Sequence, residues 1–256
     1  MQIRLILFFV GIVLWPAAMN AQNKPQDHGQ TPREFSRKIT KTIGYRYLVW
    51  LPKDYDAKSK IGSPLILFLH GAGERGSDIW KATTHGPSKY IAAHPEFPFI
   101  LITPQCPTNE FWSEETLLAL LEEVTNKFPV DERRIYLTGL SMGGYGAWKL
   151  NLLHPELFAA LAPICGGGDA GPIVLARSGY DPTKATALKT LPIWVFHGAK
   201  DPVVPLEESQ HLIGALKQLG SEEIKLTVYP EAQHNSWTET YDNPKLYEWF
   251  LQHERK

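Results

Sequence analysis

Six short apolar runs punctuate the chain, at 64–70 (PLILFLH), 99–103 (FILIT), 135–138, 158–164, 193–196 and 224–229. Each is close to continuous rather than alternating, the pattern of a strand covered on both faces. Between them apolar residues recur at helical spacing. Leu117, Leu118, Leu121, Val124 and Phe128 make one stripe over 114–128, and Leu212, Ile213, Leu216 and Leu219 another over 207–219. A third helix is predicted over 144–153. A fourth, over 244–253, carries Leu246, Tyr247, Phe250 and Leu251, with Asn243 placed to cap it. Buried strands alternating with helices predict an α/β fold with a mostly parallel, doubly wound sheet. Nearer the start, Tyr45, Tyr47 and Val49 alternate with Arg46 and Leu48, so 35–40 and 42–51 are expected to form an edge hairpin.

The first 21 residues stand apart from this pattern. Arg4 precedes a continuous apolar run over 5–15, and Pro16 to Ala21 then turns small and polar. This is the order of a secretory signal, with cleavage expected after Ala21, and the run is short for a membrane span. The expected organisation is a signal peptide at 1–21, a flexible leader at 22–34 and one domain at 35–256. Export to a secreted or periplasmic location follows, with no stable membrane association after cleavage.

Composition changes the picture only slightly. The chain has 256 residues, 43% of them apolar, enough for one large core. Loss of 1–21 removes one basic residue and no acid, leaving 25 Lys and Arg against 27 Asp and Glu, a formal charge of −2. That balance gives no footing for a nucleic acid or an anionic surface. Cys106 and Cys165 are too few for a disulfide scaffold, and neither has a metal-ligand spacing with a nearby His. The strands before them are expected to be separated by two others, too far for a bridge, so both are expected as free thiols.

The chemistry concentrates at 135–148, IYLTGLSMGGYGAW. Gly139-Leu140-Ser141-Met142-Gly143 fits G-x-S-x-G between a strand and a helix. Such a turn lifts a serine hydroxyl above the sheet, beside a helix N-terminus that favours negative charge. A serine hydroxyl is a weak nucleophile at neutral pH and needs a base held by an acid. Asp201 follows the run at 193–196 and His234 follows the run at 224–229, so both belong at carboxyl ends of strands. The order Ser141, Asp201, His234 is that of one hydrolase architecture. Asp169 and Asp181 are the rival acids. His70 and His197, each before a glycine at a strand end, read as structural. The oxyanion donors are expected to be the backbone N–H of Met142 and that of Ala72, with Gly73 the alternative, in the loop His70-Gly71-Ala72-Gly73-Glu74-Arg75-Gly76. Trp112 and Trp237 are expected to line the substrate pocket. Residues 166–191, with Gly166-Gly167-Gly168, two prolines and Gly179, read as an irregular insertion over the active face.

With these residues in view the chain resembles the α/β-hydrolase superfamily, in its small carboxylesterase branch near the dienelactone-hydrolase, prolyl-oligopeptidase-like and feruloyl-esterase-like proteins. The resemblance is carried by HGAGERG (70–76), HGPSKY (85–90), PQCP (104–107), GLSMGGYG (139–146), PICGGGD (163–169), FHGAKDPVVP (196–205) and the tail 234–251. It implies a sheet of about eight strands, a Ser-Asp-His triad, and neither cofactor nor metal. Its departure is 171–183, longer than the usual connection. The expected activity is a serine carboxylesterase acting through an acyl-enzyme on Ser141, on a small-molecule or polysaccharide-linked ester such as a feruloyl or acetyl decoration of plant polysaccharide. Two alternatives are a serine peptidase of prolyl-oligopeptidase type, whose relatives carry a gating domain for which 256 residues leave no room, and a hydrolase fold that only binds a ligand. Nothing in the sequence sets the oligomeric state.

Overall fold

A computed structural model describes residues 31–255. The expected signal segment at 1–21 and the leader as far as residue 30 lie outside the described residues. Residues 31–41 carry no helix or strand, and the compact unit begins at Thr42. No helix among the described residues is long and apolar enough to cross a membrane.

The compact unit is built on strands β1 (Arg46–Trp50), β2 (Ser63–Leu69), β3 (Ile100–Gln105), β4 (Val130–Leu140), β5 (Ala160–Ile164), β6 (Ile193–Gly198) and β7 (Ile224–Tyr229). Their order in the sheet is β1-β3-β2-β4-β5-β6-β7, all parallel except β1, which pairs antiparallel with β3. Seven strands are found among the described residues where about eight were expected. The expected hairpin is also absent. Only Arg46–Trp50 is a strand, and its partner is β3. The segment at 35–40 forms no strand, and its two large apolar side chains, Phe35 and Ile39, are 89% and 78% exposed.

Among the described residues eight α-helices complete the unit, besides short 3-10 turns: α1 (Pro87–Tyr90), α2 (Glu114–Lys127), α3 (Met142–Leu153), α4 (Gly171–Arg177), α5 (Pro182–Thr190), α6 (Leu206–Leu219), α7 (Trp237–Tyr241) and α8 (Pro244–Leu251). The stretch at 166–191 is therefore less irregular than expected, since it holds α4 and α5. Asp181 caps α5 by accepting the Lys184 N–H at 2.9 Å, and Pro182 sits in the first turn, where it loses no helical hydrogen bond.

The strands divide their side chains between two cores, as a period of two requires. Leu65, Leu67 and Leu69 of β2 pack on one face with Leu121, Trp148 and Leu216 from α2, α3 and α6. Ile66 and Phe68 pack on the other with Tyr136, Tyr247 and Phe250. Both faces being covered explains the continuous apolar runs. Cys106 and Cys165 are free and buried, with β2 and β4 lying between the strands they follow.

Candidate active site

Ser141, Asp201 and His234 each follow the carboxyl end of a parallel strand, where an open α/β sheet leaves its crevice. Ser141 sits between β4 and α3 with φ 53° and ψ −117°, a conformation L residues rarely hold. The glycines on either side make room for it. A Cβ on Gly143 would stand 1.9 Å from the Leu69 carbonyl oxygen, and one on Gly139 would stand 2.3 Å from that of Gly143. The Ser141 N–H donates to Ile164 O at 3.0 Å, tying the turn to the end of β5.

His234 comes to the serine from the loop after β7. Its Nε2 is 2.9 Å from Ser141 Oγ and its Nδ1 is 2.8 Å from Asp201 Oδ2. Asp201, in the loop after β6, also accepts the Val203 and Val204 N–H groups on Oδ1, each at 2.9 Å. Burial pushes the Asp201 carboxyl up, but the hydrogen bonds from His234, Val204 and Val203 outweigh it and hold the group below its ordinary value. An ionised carboxylate only accepts, so the proton lies on His234 Nδ1 and Nε2 is free to accept from the serine hydroxyl. His197 Nε2 donates to Val204 O at 2.9 Å and lies 3.4 Å from Asp201 Oδ2, so a fully buried histidine braces the loop that carries the acid.

The rival acids lie elsewhere. Asp181 caps α5, and Asp169 accepts the Gly171 N–H at 2.8 Å. Cys165, with φ 40°, ends β5 beside the acid and base, and donor atoms of Cys165, Asp201 and His234 lie within 4.8 Å of one another. A metal could take those three donors. Two of them, however, are already hydrogen-bonded to each other, and burial pushes the Cys165 thiol up to about 12, away from the thiolate a metal needs.

The expected oxyanion donors lie on two segments, the start of α3 and the loop after β2. Met142 is the first residue of α3, so its N–H has no carbonyl to meet within the helix. Ala72 opens a short 3-10 turn at 72–74 in the loop after β2. That loop is anchored by His70. Its Nδ1 donates to Gly71 O at 2.6 Å, and its Nε2 accepts the Cys106 N–H at 3.0 Å. Burial lowers His70 to about 4, which keeps the ring neutral and lets it serve one donor and one acceptor.

The two expected pocket tryptophans separate. Trp112 is 5% exposed, donates from Nε1 to His70 O at 3.1 Å, and packs edge-on against Tyr45 and His70. It floors a cleft of about 490 Å³ that runs along α3 past Met142, Tyr145 and Lys149, with Phe111 and Asp169 at its rim. Trp237 instead stands edge-on to the His234 ring, 5.3 Å between centres, and belongs to no wall of that cleft. Glu74 and His85 fall in the HGAGERG and HGPSKY segments, but neither segment gave them a role. Both lie on the connection from β2 to β3, which folds so that Glu74 Oε1 comes within 3.8 Å of His85 Nε2 and the His85 ring within 5.6 Å of the Trp237 ring.

Comparison with known proteins places this geometry. Residues 112–245, just over half of the chain, match the phospholipase/carboxylesterase family. A probable feruloyl esterase C from Aspergillus terreus is 26% identical over 170 residues, 64% of this chain and 57% of that protein. Its counterpart in Aspergillus niger is 24% identical over 203 residues, 77% of this chain and 70% of that one. The crystal structure of a thermostable esterase superposes with a TM-score of 0.64 at 36% identity, covering 82% of this chain and 59% of that one. The chain thus spans under three-fifths of the length of the first and third of these proteins. On the matched residues and the sheet that carries them, the chain belongs to the phospholipase/carboxylesterase family, in the esterase branch of the α/β hydrolases.

Proposed function

We propose that the protein is an exported serine carboxylesterase. The observation that carries the reading is the hydrogen-bonded line from Ser141 Oγ through the His234 ring to Asp201, set at a strained turn on top of the sheet. In this reading Ser141 Oγ attacks the ester carbonyl while its proton passes to His234 Nε2. The oxyanion that forms is met by the N–H groups of Met142 and Ala72. His234 then gives its proton to the departing alcohol, and water resolves the acyl-enzyme by the same route. Asp201 keeps the imidazole oriented and balances its charge in the transition state.

The aromatic floor and rim of the cleft beside Met142 suit a planar acyl group, and the relatives named as feruloyl esterases point the same way. Feruloyl or acetyl decorations of plant polysaccharide are the substrates that fit both this and the signal-like pattern at 1–21. A fluorophosphonate probe tests the mechanism directly. Wild-type protein should be labelled at Ser141 and Ser141→Ala should not; an unlabelled wild type, or a labelled variant, would overturn the assignment.

A further inference from the structure

The cleft beside Met142 and the loop that carries Ala72 come from different segments, and one charged side chain touches both. Phe111 and Trp112 of the cleft lie between β3 and α2, and Ala72 lies in the loop after β2. In the interior the two segments are joined through His70, whose Nε2 accepts the Cys106 N–H at 3.0 Å and whose carbonyl accepts Trp112 Nε1–H at 3.1 Å. The Gly76 N–H adds a bond to Cys106 O at 3.1 Å. Arg75 joins the segments at the rim. Its Nε donates to Ala72 O at 3.1 Å and its Nη1 donates to Glu110 O at 3.1 Å. The guanidinium carbon stands 5.8 Å from the centre of the Phe111 ring.

Phe111 needs such a hold. It is 74% exposed, so packing does little to choose among its rotamers, yet it forms the rim of the cleft. A guanidinium is a planar fork with donors in fixed directions, and its face is attracted to an aromatic ring. With Nε on one carbonyl and Nη1 on another, the Arg75 plane is fixed from two segments at once. The ring it faces is thereby placed relative to the carbonyl of Ala72, the residue whose N–H is proposed to meet the oxyanion. The oxyanion donors hold the carbonyl end of an acyl group, and the rim holds its far end. Arg75 sets one against the other.

We infer that Arg75 is a positioning residue that fixes the spacing between the oxyanion donors and the Phe111 rim, so that acyl groups are selected by the number of carbons between the ester carbonyl and an aromatic ring. The inference rests on the proposed esterase activity and deepens it. An aromatic acyl group names a ring, and Arg75 sets how far that ring stands from the reacting carbon. Arg75 acts through Phe111 and the Ala72 peptide rather than on the reacting atoms.

The test uses the methyl esters of benzoic, phenylacetic and 3-phenylpropanoic acid, a series that lengthens by one carbon at a time. Each kcat/KM is divided by that ester's rate constant for hydrolysis by hydroxide, which removes its intrinsic reactivity. The readout is the spread among the three values, in which any loss of rate shared by the series cancels. Wild type should favour one spacer over the others by about tenfold, within the range that one methylene usually allows. Arg75→Met keeps the aliphatic stem and loses the fork and the charge, and should cut that preference about fivefold. Arg75→Lys keeps the charge but cannot hold both carbonyls in one plane, and should lose most of the same preference. Phe111→Ala should flatten the series as far as Arg75→Met does. Arg75→Met added to Phe111→Ala should reduce the spread no further, because residues that act through one another are not additive. A flat wild-type series, a spread unchanged in any of the single variants, or a double variant that falls below Phe111→Ala overturns the inference while ester hydrolysis stands. Hydrolysis of none of the three esters, with no fluorophosphonate labelling, overturns the esterase reading and the inference with it.

Discussion

Gly143 lies so close to Leu69 that any side chain there would strike the Leu69 carbonyl, a Cβ standing 1.9 Å from its oxygen. Two segments that meet only in the fold, the end of β2 and the start of α3, are thus pressed together at the serine turn. Neither can yield easily, because β2 is paired on both sides and α3 is mostly buried. Gly143→Ala should cost more than about 3 kcal/mol of stability, above the usual range for an overpacked core. Urea unfolding measures this; a midpoint within error of wild type would contradict the close approach.

Asp201→Asn should leave the loop intact, because an amide oxygen can still accept from Val203 and Val204. The amide NH2, turned toward His234 Nδ1, would favour the tautomer that cannot accept from Ser141. Turnover should fall on the order of 10⁴, less than the loss on removing the serine. Steady-state ester hydrolysis at one pH decides it, and near-normal turnover would leave the carboxylate without a role.

His70 makes stability depend on pH. Its folded-state value, about 4, lies below the ordinary 6.5 of histidine. The unfolded chain therefore takes up a proton that the folded chain refuses as pH falls through 6.5, so stability drops from there until about pH 4. The total is on the order of 3 kcal/mol, at 1.36 kcal/mol for each pH unit. His253, also lowered by burial, adds in the same direction. Asp201, held below its ordinary value, contributes stability above about pH 4 that is lost only as pH falls further. Thermal unfolding between pH 6.5 and 5 isolates the histidines. The slope of Tm against pH should flatten in His70→Gln, and an unchanged slope would refute the assignment.

Trp112 and Trp237 should respond differently to truncation. Trp112→Ala removes a buried indole and its bond to His70 O, and should destabilise the fold by about 3–5 kcal/mol. Trp237 is only partly buried, and its loss should show first in ester kinetics. Equal losses of stability in the two variants would argue that both are merely structural.

Much of this architecture was legible in the chain. Strands such as 64–70 and 193–196 announced themselves because burial on both faces leaves no polar position to interrupt an apolar run. Ser141 was marked by its glycines, and Asp201 and His234 by their places after strands. What escaped detection had its cause in three dimensions. Of the alternating residues at 45–49, Tyr45 and Tyr47 do pack on the core while Val49 is exposed, and the strand's pairing partner was β3, more than 50 residues away, rather than the adjoining segment. Helix α5 carries too weak an apolar stripe to stand out, and α4 is a single short apolar run without helical spacing, although Asp181-Pro182 is a start signal that local reading could have caught. Glu74 and His85 could not be paired from sequence, since the path of the β2–β3 connection that carries both is set only in the fold.

The connection that holds α4 and α5 supplies the cleft with Gly168, Asp169 and Pro172, while the serine, the acid and the base come from other loops. It behaves as a replaceable cassette. Exchanging 168–190 for a shorter or differently shaped segment should remodel the cleft beside Met142 and leave Ser141, Asp201 and His234 where they are. One scaffold could thereby acquire new acyl preferences through insertion and deletion at a single junction, a cheaper path to diversification than remaking the reactive centre.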